Sequence, residues 1–261
     1  MLPTPSTSHV SFDRVYEPAE DSFLLLDTIS SASETAWLHQ RFFENENLET
    51  TPAPLILEVG TGSGIVLAFV TANAQAILGR REVLTLGADI NYFACQATKK
   101  TVDTTIAEIP PMSNTNLSTG KFLDVVNCDL TSPIRPNSVD VLIFNPPYVP
   151  TEELPDLDNH LKYNVPQDTL SFDQESHLLA LSYAGGSLGM EVTERLLSQL
   201  PSVLSSERGI AYILLCAQNK PEEVKARIQT WGMGWRAEIA GSSGKKGGWE
   251  KLCILRIWRG G

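Results

Sequence analysis

The stretch Leu55-Ile56-Leu57-Glu58-Val59-Gly60-Thr61-Gly62-Ser63-Gly64 sets the architecture of the chain. A short apolar run ends in alternating glycines, and a helical pattern begins directly after them. Strand, tight turn and helix follow from that order, and the turn lets a ligand approach the backbone beside the exposed N–H groups of the helix start. Such a turn can serve a dinucleotide or merely reverse the chain.

Outward from this turn, short apolar runs alternate with helical periods, the pattern of a largely parallel sheet covered on both faces. The runs predict strands over 55–59, 83–88, 122–126, 139–144, 209–217, 235–240 and 251–258. Helices are predicted over 20–30, 63–78, 92–101, 192–204 and 221–231, the last with Pro221 at a first-turn position that needs no N–H. Only the glycine-rich segment 241–248 separates the last two strands, so they form a hairpin and one strand runs antiparallel. The expectation is a single α/β domain spanning 1–261: seven strands, mostly parallel, with helices on both faces. Residues 1–14 are expected to be flexible. The polar stretch 103–120, with Pro110-Pro111, reads as an inserted surface loop. The stretch 149–189 reads as a second insertion, long enough to suggest a functional role.

Three acids end three successive strands. Glu58 places a carboxylate beside the glycine turn, which a pyrophosphate would resist and the sulfonium and ammonium of S-adenosylmethionine would favour. Asp89 ends the second strand, where an acid can accept ribose hydroxyls; it also precedes Asn91 at a helix start, a common structural place for an acid. Cys128-Asp129-Leu130 follows the third strand, where Asp129 can take an adenine amino group and the next backbone N–H can meet a ring nitrogen. Ligands of open α/β sheets bind outside these carboxyl ends. The fourth strand ends in Phe144-Asn145-Pro146-Pro147-Tyr148. The prolines fix their own φ and hold Asn145 extended. The Asn145 side-chain oxygen and the Pro146 carbonyl can then accept from a planar –NH₂, on which Tyr148 can stack. The competing reading is a plain proline turn.

The chain carries 20 Lys and Arg against 31 Asp and Glu, a net charge of −11, which is poorly suited to gripping phosphate backbones. There is no apolar run of membrane-spanning length, and the first residues lack the build of a signal peptide. A soluble, cytoplasmic protein is expected, with the nucleus as a second compartment. Cys95, Cys128, Cys216 and Cys253 have no Cys-x-x-Cys spacing and read as free thiols; no metal site is assigned.

The set EVGTGSG, GADI, NCDL and NPPY resembles the class I S-adenosylmethionine-dependent amino-methyltransferases that act on glutamine amides and on adenine N6. The N-terminal VYEPAEDSFLLL, from Val15 to Leu26, is similar to the eukaryotic and archaeal HemK-type enzymes that methylate the GGQ glutamine of peptide-chain release factors. The resemblance runs from Val15 to the last strand. It implies a Rossmann-like methyltransferase fold and S-adenosylmethionine as cofactor. The implied cofactor contacts are Ser22, Glu58, Gly60, Gly62, Asp89, Asp129, Leu130 and Asn145. Asn145, Pro146, Pro147 and Tyr148 become the substrate loop, with Asn145, Pro146 and Tyr148 catalytic. Ser22 stands where the family usually has Thr. A further implication is a heterodimer with a small zinc-binding activator protein, which would cover the edge strand 122–126. The alternatives are adenine N6-methylation of DNA or RNA, and a scaffold subunit without catalysis. Segments 37–54 and 103–120 look longer than usual for the family, with no role assigned.

Overall fold

The computed structural model describes residues 2–44, 51–109, 119–165, 169–244 and 251–260, with the backbone alone at 44, 158, 159 and 161. Parts of two expected loops, 110–118 and 245–248, lie outside the described residues, as does the side chain at 158.

The strands are β1 (Leu55–Val59), β2 (Leu84–Asp89), β3 (Lys121–Asn127), β4 (Val141–Phe144), β5 (Ile210–Cys216), β6 (Trp235–Ser242) and β7 (Leu252–Arg259). They form one sheet in the order β3-β2-β1-β4-β5-β7-β6. Neighbours from β3 through β5 pair in parallel, and β7 runs antiparallel to both β5 and β6. The strand order reverses between β1 and β4, which opens a crevice at their carboxyl ends.

Successive side chains of a strand point to opposite faces, and β1 divides its own accordingly. Ile56 enters an apolar layer with Leu25, Leu26 and Ile29 of α1 (Glu20–Ile29) and with Phe69 of α3 (Ile65–Ala72). Leu57 and Val59 enter the opposite layer with Leu196 and Leu200 of α8 (Glu191–Val203) and Ile228 of α9 (Pro221–Gln229). All four residues of β4 are buried, as a central strand covered on both faces requires.

Several boundaries differ from the sequence expectation. The helix over 63–78 is two helices, α3 and α4 (Ala74–Leu78), separated at Asn73, whose side chain donates back to the Phe69 carbonyl. An additional helix, α2 (Ala32–His39), starts where Ser31 accepts from the Glu34 N–H. The polar loop expected from 103 onward begins later, because α5 (Tyr92–Ala107) continues through it. Thr101 and Thr105 bond to carbonyls four residues back while Val102 is fully buried. The stretch 149–189 is not a plain loop: it holds α6 (Leu157–Tyr163) and α7 (Phe172–Tyr183). A reciprocal cap between Ser171 and Gln174 starts α7. Residues 2–14, expected to be flexible, form no helix or strand, but Leu2 packs on the apolar layer of α1 and α3, and His9 and Arg14 are tied to α5 and its cap. The His9 ring is 3.3 Å from both the Ala97 carbonyl and the Thr101 hydroxyl, and Asn91 donates to the Arg14 carbonyl at 2.7 Å. Among the described residues, no helix is long and apolar enough to cross a membrane.

Candidate active site

Ser22, Glu58, Gly60, Gly62, Asp89, Asp129, Leu130, Asn145 and Pro147 line one cavity at the carboxyl ends of β1 to β4. The glycine turn is built for close approach. Gly60, Gly62 and Gly64 all have positive φ, and a Cβ on Gly64 would lie 2.6 Å from the Thr98 backbone of α5.

Asp89 is pinned from behind. Its Oδ2 accepts from the Gly62 N–H at 2.9 Å and its Oδ1 from the Asn91 N–H at 2.8 Å, so one carboxylate ties the glycine turn to the start of α5. The structural and the ligand-facing readings of this acid thus coincide in one residue. Burial pushes its carboxyl up to about 6 in spite of these bonds. Glu58 is more extreme. It is buried, its Oε2 has no partner, and burial raises its carboxyl well above the ordinary range, with Asp89 adding to the rise. A partnerless buried carboxylate oxygen beside a second acid suits a cationic group such as an ammonium.

At the far end, Leu130 takes a positive φ of 50° and Asp129 forms an ion pair with Arg195 of α8. Arg195 also lines the cavity, a role the sequence did not single out.

Beside β1, Asn145 donates through Nδ2 to Asp21 Oδ2 at 3.0 Å, and its Oδ1 is buried without a partner. Asp21 sits in the first turn of α1, where the helix end favours a negative charge. Its Oδ1 accepts from the Ser22 N–H at 2.6 Å and the Ser22 hydroxyl at 3.2 Å, and the Tyr148 hydroxyl lies 3.5 Å from Oδ2. A carboxylate only accepts, so it claims the Asn145 amide nitrogen and leaves the carbonyl oxygen as the free acceptor. Sequence reading missed Asp21 because its partner lies 124 residues away. Pro146, buried, and Tyr148, half-buried, are not among the residues that line the cavity, unlike Asn145 and Pro147 beside them. Gly189 keeps this loop in place: a Cβ there would collide with the Tyr148 carbonyl.

Described residues of the 149–189 stretch line one side of the cavity. Leu154, Pro155 and Leu157 line it from the α6 side, and Leu178 and Leu181 from α7. His160 bonds the Ile90 carbonyl at 2.9 Å, and Asn164 accepts from the Tyr92 N–H at 2.6 Å while donating to the Ile90 carbonyl at 3.0 Å. Burial lowers the pKa of both His160 and His177, which favours the neutral rings in this wall. Among the described residues, no group of three or more His, Cys, Asp or Glu could hold a metal ion.

A sheet of this strand order, with its antiparallel strand second from one edge, is that of a class I methyltransferase. No protein-family model matches the chain. It is 34% identical over 267 residues to the eRF1 methyltransferase catalytic subunit mtq2 of Schizosaccharomyces pombe, covering 99% of this chain and 96% of that one. It is 31% identical to the human methyltransferase HEMK2 over 257 residues, 97% and 95% of the two chains. The chain belongs to this family of HEMK2-type methyltransferases.

Proposed function

We propose that this enzyme transfers a methyl group from S-adenosylmethionine to the side-chain amide nitrogen of a glutamine in an eRF1-type peptide-chain release factor. The release factor is the substrate in the name of the mtq2 relative. The reading rests on the Asn145 carbonyl oxygen, buried and partnerless beside the cavity, with its amide nitrogen claimed by Asp21. That arrangement accepts a hydrogen from an –NH₂ and offers nothing to an acceptor.

In this reading Glu58 takes the cofactor's ammonium, Asp89 its ribose hydroxyls, and Asp129 and the Leu130 N–H its adenine edge. Gly60 and Gly62 leave room for it, and Ser22 closes the near side. When bound, the cofactor supplies a methyl group on a positively charged sulfur, so no covalent enzyme intermediate is required. Asn145 holds the amide nitrogen in attack geometry together with the Pro146 carbonyl, while Pro147 stiffens the loop and Tyr148 packs against the flat amide. Positioning of this kind contributes up to about 7–11 kcal/mol. The α6–α7 wall keeps water out.

The same acceptor pair fits an adenine amino group. The net charge of −11 and the exposed Glu152, Glu153 and Asp156 set a nucleic-acid backbone at a disadvantage. We further propose a heterodimer with a small zinc-binding activator on the β3 edge, working in the cytoplasm where release factors act.

Incubation of the purified complex with labelled cofactor and release factor, its Gln→Ala variant or duplex DNA tests this. Label should enter the intact release factor alone. Label in DNA, or equal label in the glutamine variant, overturns the substrate assignment.

A further inference from the structure

One face of α8 grips both ends of the turn that carries Asp129. Arg195 and Gln199 lie four residues apart and therefore on the same side of the helix. Arg195 Nη2 pairs with Asp129 Oδ2. Gln199 Oε1 accepts from the Thr131 N–H at 3.3 Å and from the Thr131 hydroxyl at 2.5 Å. Between these two anchors sits Leu130, whose φ of 50° is one that a branched L residue adopts only when its surroundings impose it. Its side chain is buried in the apolar layer that also holds Leu196 and Leu200 of the same helix. The turn is thus held at head and tail by a single helix, and its middle residue shares that helix's apolar layer.

The Arg195–Asp129 pair has a poor stability rationale. Its side chains are 42% and 39% exposed, and ion pairs that open to water contribute little to folding. Yet both residues line the cavity. Arg195 occupies Asp129 Oδ2, and Oδ1 makes no hydrogen bond among the described residues.

We propose that Arg195 is a positioning residue for base selectivity: by holding one oxygen of Asp129 it presents the other to the exocyclic amino group of the cofactor's adenine. Gln199 fixes the backbone of the same turn, and so the Leu130 N–H that meets the ring. This rests on the reading of the cavity as an S-adenosylmethionine site. The division of labour predicts separable effects. Arg195 governs recognition of the amino group alone, whereas Gln199 governs a contact common to any purine that keeps its ring nitrogen.

Titration calorimetry on the purified protein tests this with two probes, S-adenosylhomocysteine and its 6-deamino purine analogue, which lacks only the amino group. The wild-type chain should favour the amino form by about 10- to 100-fold, the scale of a hydrogen bond to a charged group. In Arg195→Met that ratio should collapse to within about threefold, mainly through weaker binding of the amino form, with an unchanged melting temperature. Arg195→Lys, which keeps the charge, should retain part of the ratio. Gln199→Leu should weaken both probes in proportion and leave the ratio intact. If Arg195→Met keeps the wild-type ratio, whether or not both affinities fall, Arg195 does not position Asp129 and the proposal is overturned while the cofactor reading stands. If the wild-type chain binds neither probe, the cofactor reading fails and the proposal with it.

Discussion

Asn145 holds a buried carbonyl oxygen that finds no donor, a state that costs free energy until a substrate supplies one. Replacing Asn145 with Ala should lower turnover about 100-fold or more while cofactor affinity stays within a few-fold, because one preorganised polar group is lost. A radiolabel transfer assay reads this directly, and near-normal turnover would remove the assignment. Asp21 acts one step behind. A neutral amide at that position can donate as well as accept, so Asp21→Asn should free the Asn145 side chain to turn over. About a tenfold loss of turnover is expected, with substrate binding impaired more than cofactor binding. The cradle acids carry the pH dependence. The Asp89 carboxyl stands at about 6 against an ordinary 3.8. Its neutral form is therefore favoured by the fold: the stabilisation is full below the ordinary value and is lost as pH rises through about 6. A ribose hydroxyl needs the ionised form, so cofactor affinity should climb with pH through that window and binding should release a proton near its lower end. Calorimetry in two buffers of different ionisation heat detects the proton. Asp89→Ala should remove the part of the dependence centred near 6, leaving the part carried by Glu58, and weaken binding by about 1.5–3 kcal/mol; unchanged affinity would make Asp89 a purely structural acid.

At the scale of elements, the edge strand β3 carries the partner question, and the structure changes which residues test it. From the sequence, Phe122, Leu123, Val125 and Val126 look like one bare apolar edge guarded by Asp124 alone. In the fold, Phe122 packs on the cluster of Leu67, Ala68 and Val102, and Val125 is 7% exposed against the Gly87 strand. The register to β2 slips opposite Leu123, and Lys121, Asp124 and Asn127 are exposed polar residues, with Asp124 paired to Lys99 at 2.8 Å. The edge is bulged and charged, both devices that restrain aggregation. Leu123, 45% exposed, is the apolar side chain left for a partner. Leu123→Glu should weaken the proposed activator complex about tenfold or more without disturbing cofactor binding. Amides of β3 should gain hydrogen-exchange protection when the activator binds, and no gain there would place the interface elsewhere. Elements were legible where one signal dominated, as in the apolar run and glycine turn of 55–64. They were illegible where signals conflicted. Thr104 and Thr105 at the end of α5 read as a loop, although the Thr105 hydroxyl bonds backward to the Thr101 carbonyl, and α7 betrayed itself only by the Ser171–Gln174 cap. Likewise the cradle acids announced themselves by position at strand ends, whereas Asp21 and Arg195 act through partners 124 and 66 residues distant, which no local pattern encodes.

Across the whole molecule, the segment beginning at Trp37 looked like an extension without a role, and the fold gives its start one. Helix α2 reaches β5 and β7 through side chains: Glu34 accepts from Arg256 Nη1 with both oxygens, at 2.8 and 2.9 Å, and from the Tyr212 hydroxyl at 2.9 Å. Arg256 Nη2 reaches Glu238 of β6 at 2.9 Å, and the guanidinium lies 4.1 Å from the Trp37 ring and 4.9 Å from Trp258. Burial and the adjacent Glu34 hold the Tyr212 phenol well above its ordinary pKa, so it remains the donor. This network ties α2 to the antiparallel end of the sheet. The pairing register Glu58–Ile143–Tyr212–Arg256 puts Arg256 three strands from the cradle, about 14 Å away at the usual strand spacing. Removing one partner strands a buried charge, which costs about 3–5 kcal/mol, whereas removing both together with apolar replacements costs far less. Glu34→Ala should therefore lower the unfolding free energy by about that amount in urea titrations, and Arg256→Met likewise. The double variant Glu34→Ala/Arg256→Met should lose less than either single variant, whereas the losses of independent sites would add. Each folded variant should bind cofactor as the parent does. If the two losses simply add, the network is not coupled and α2 is held by its apolar contacts alone; if cofactor binding falls in step with stability, the brace reaches the cradle through the sheet.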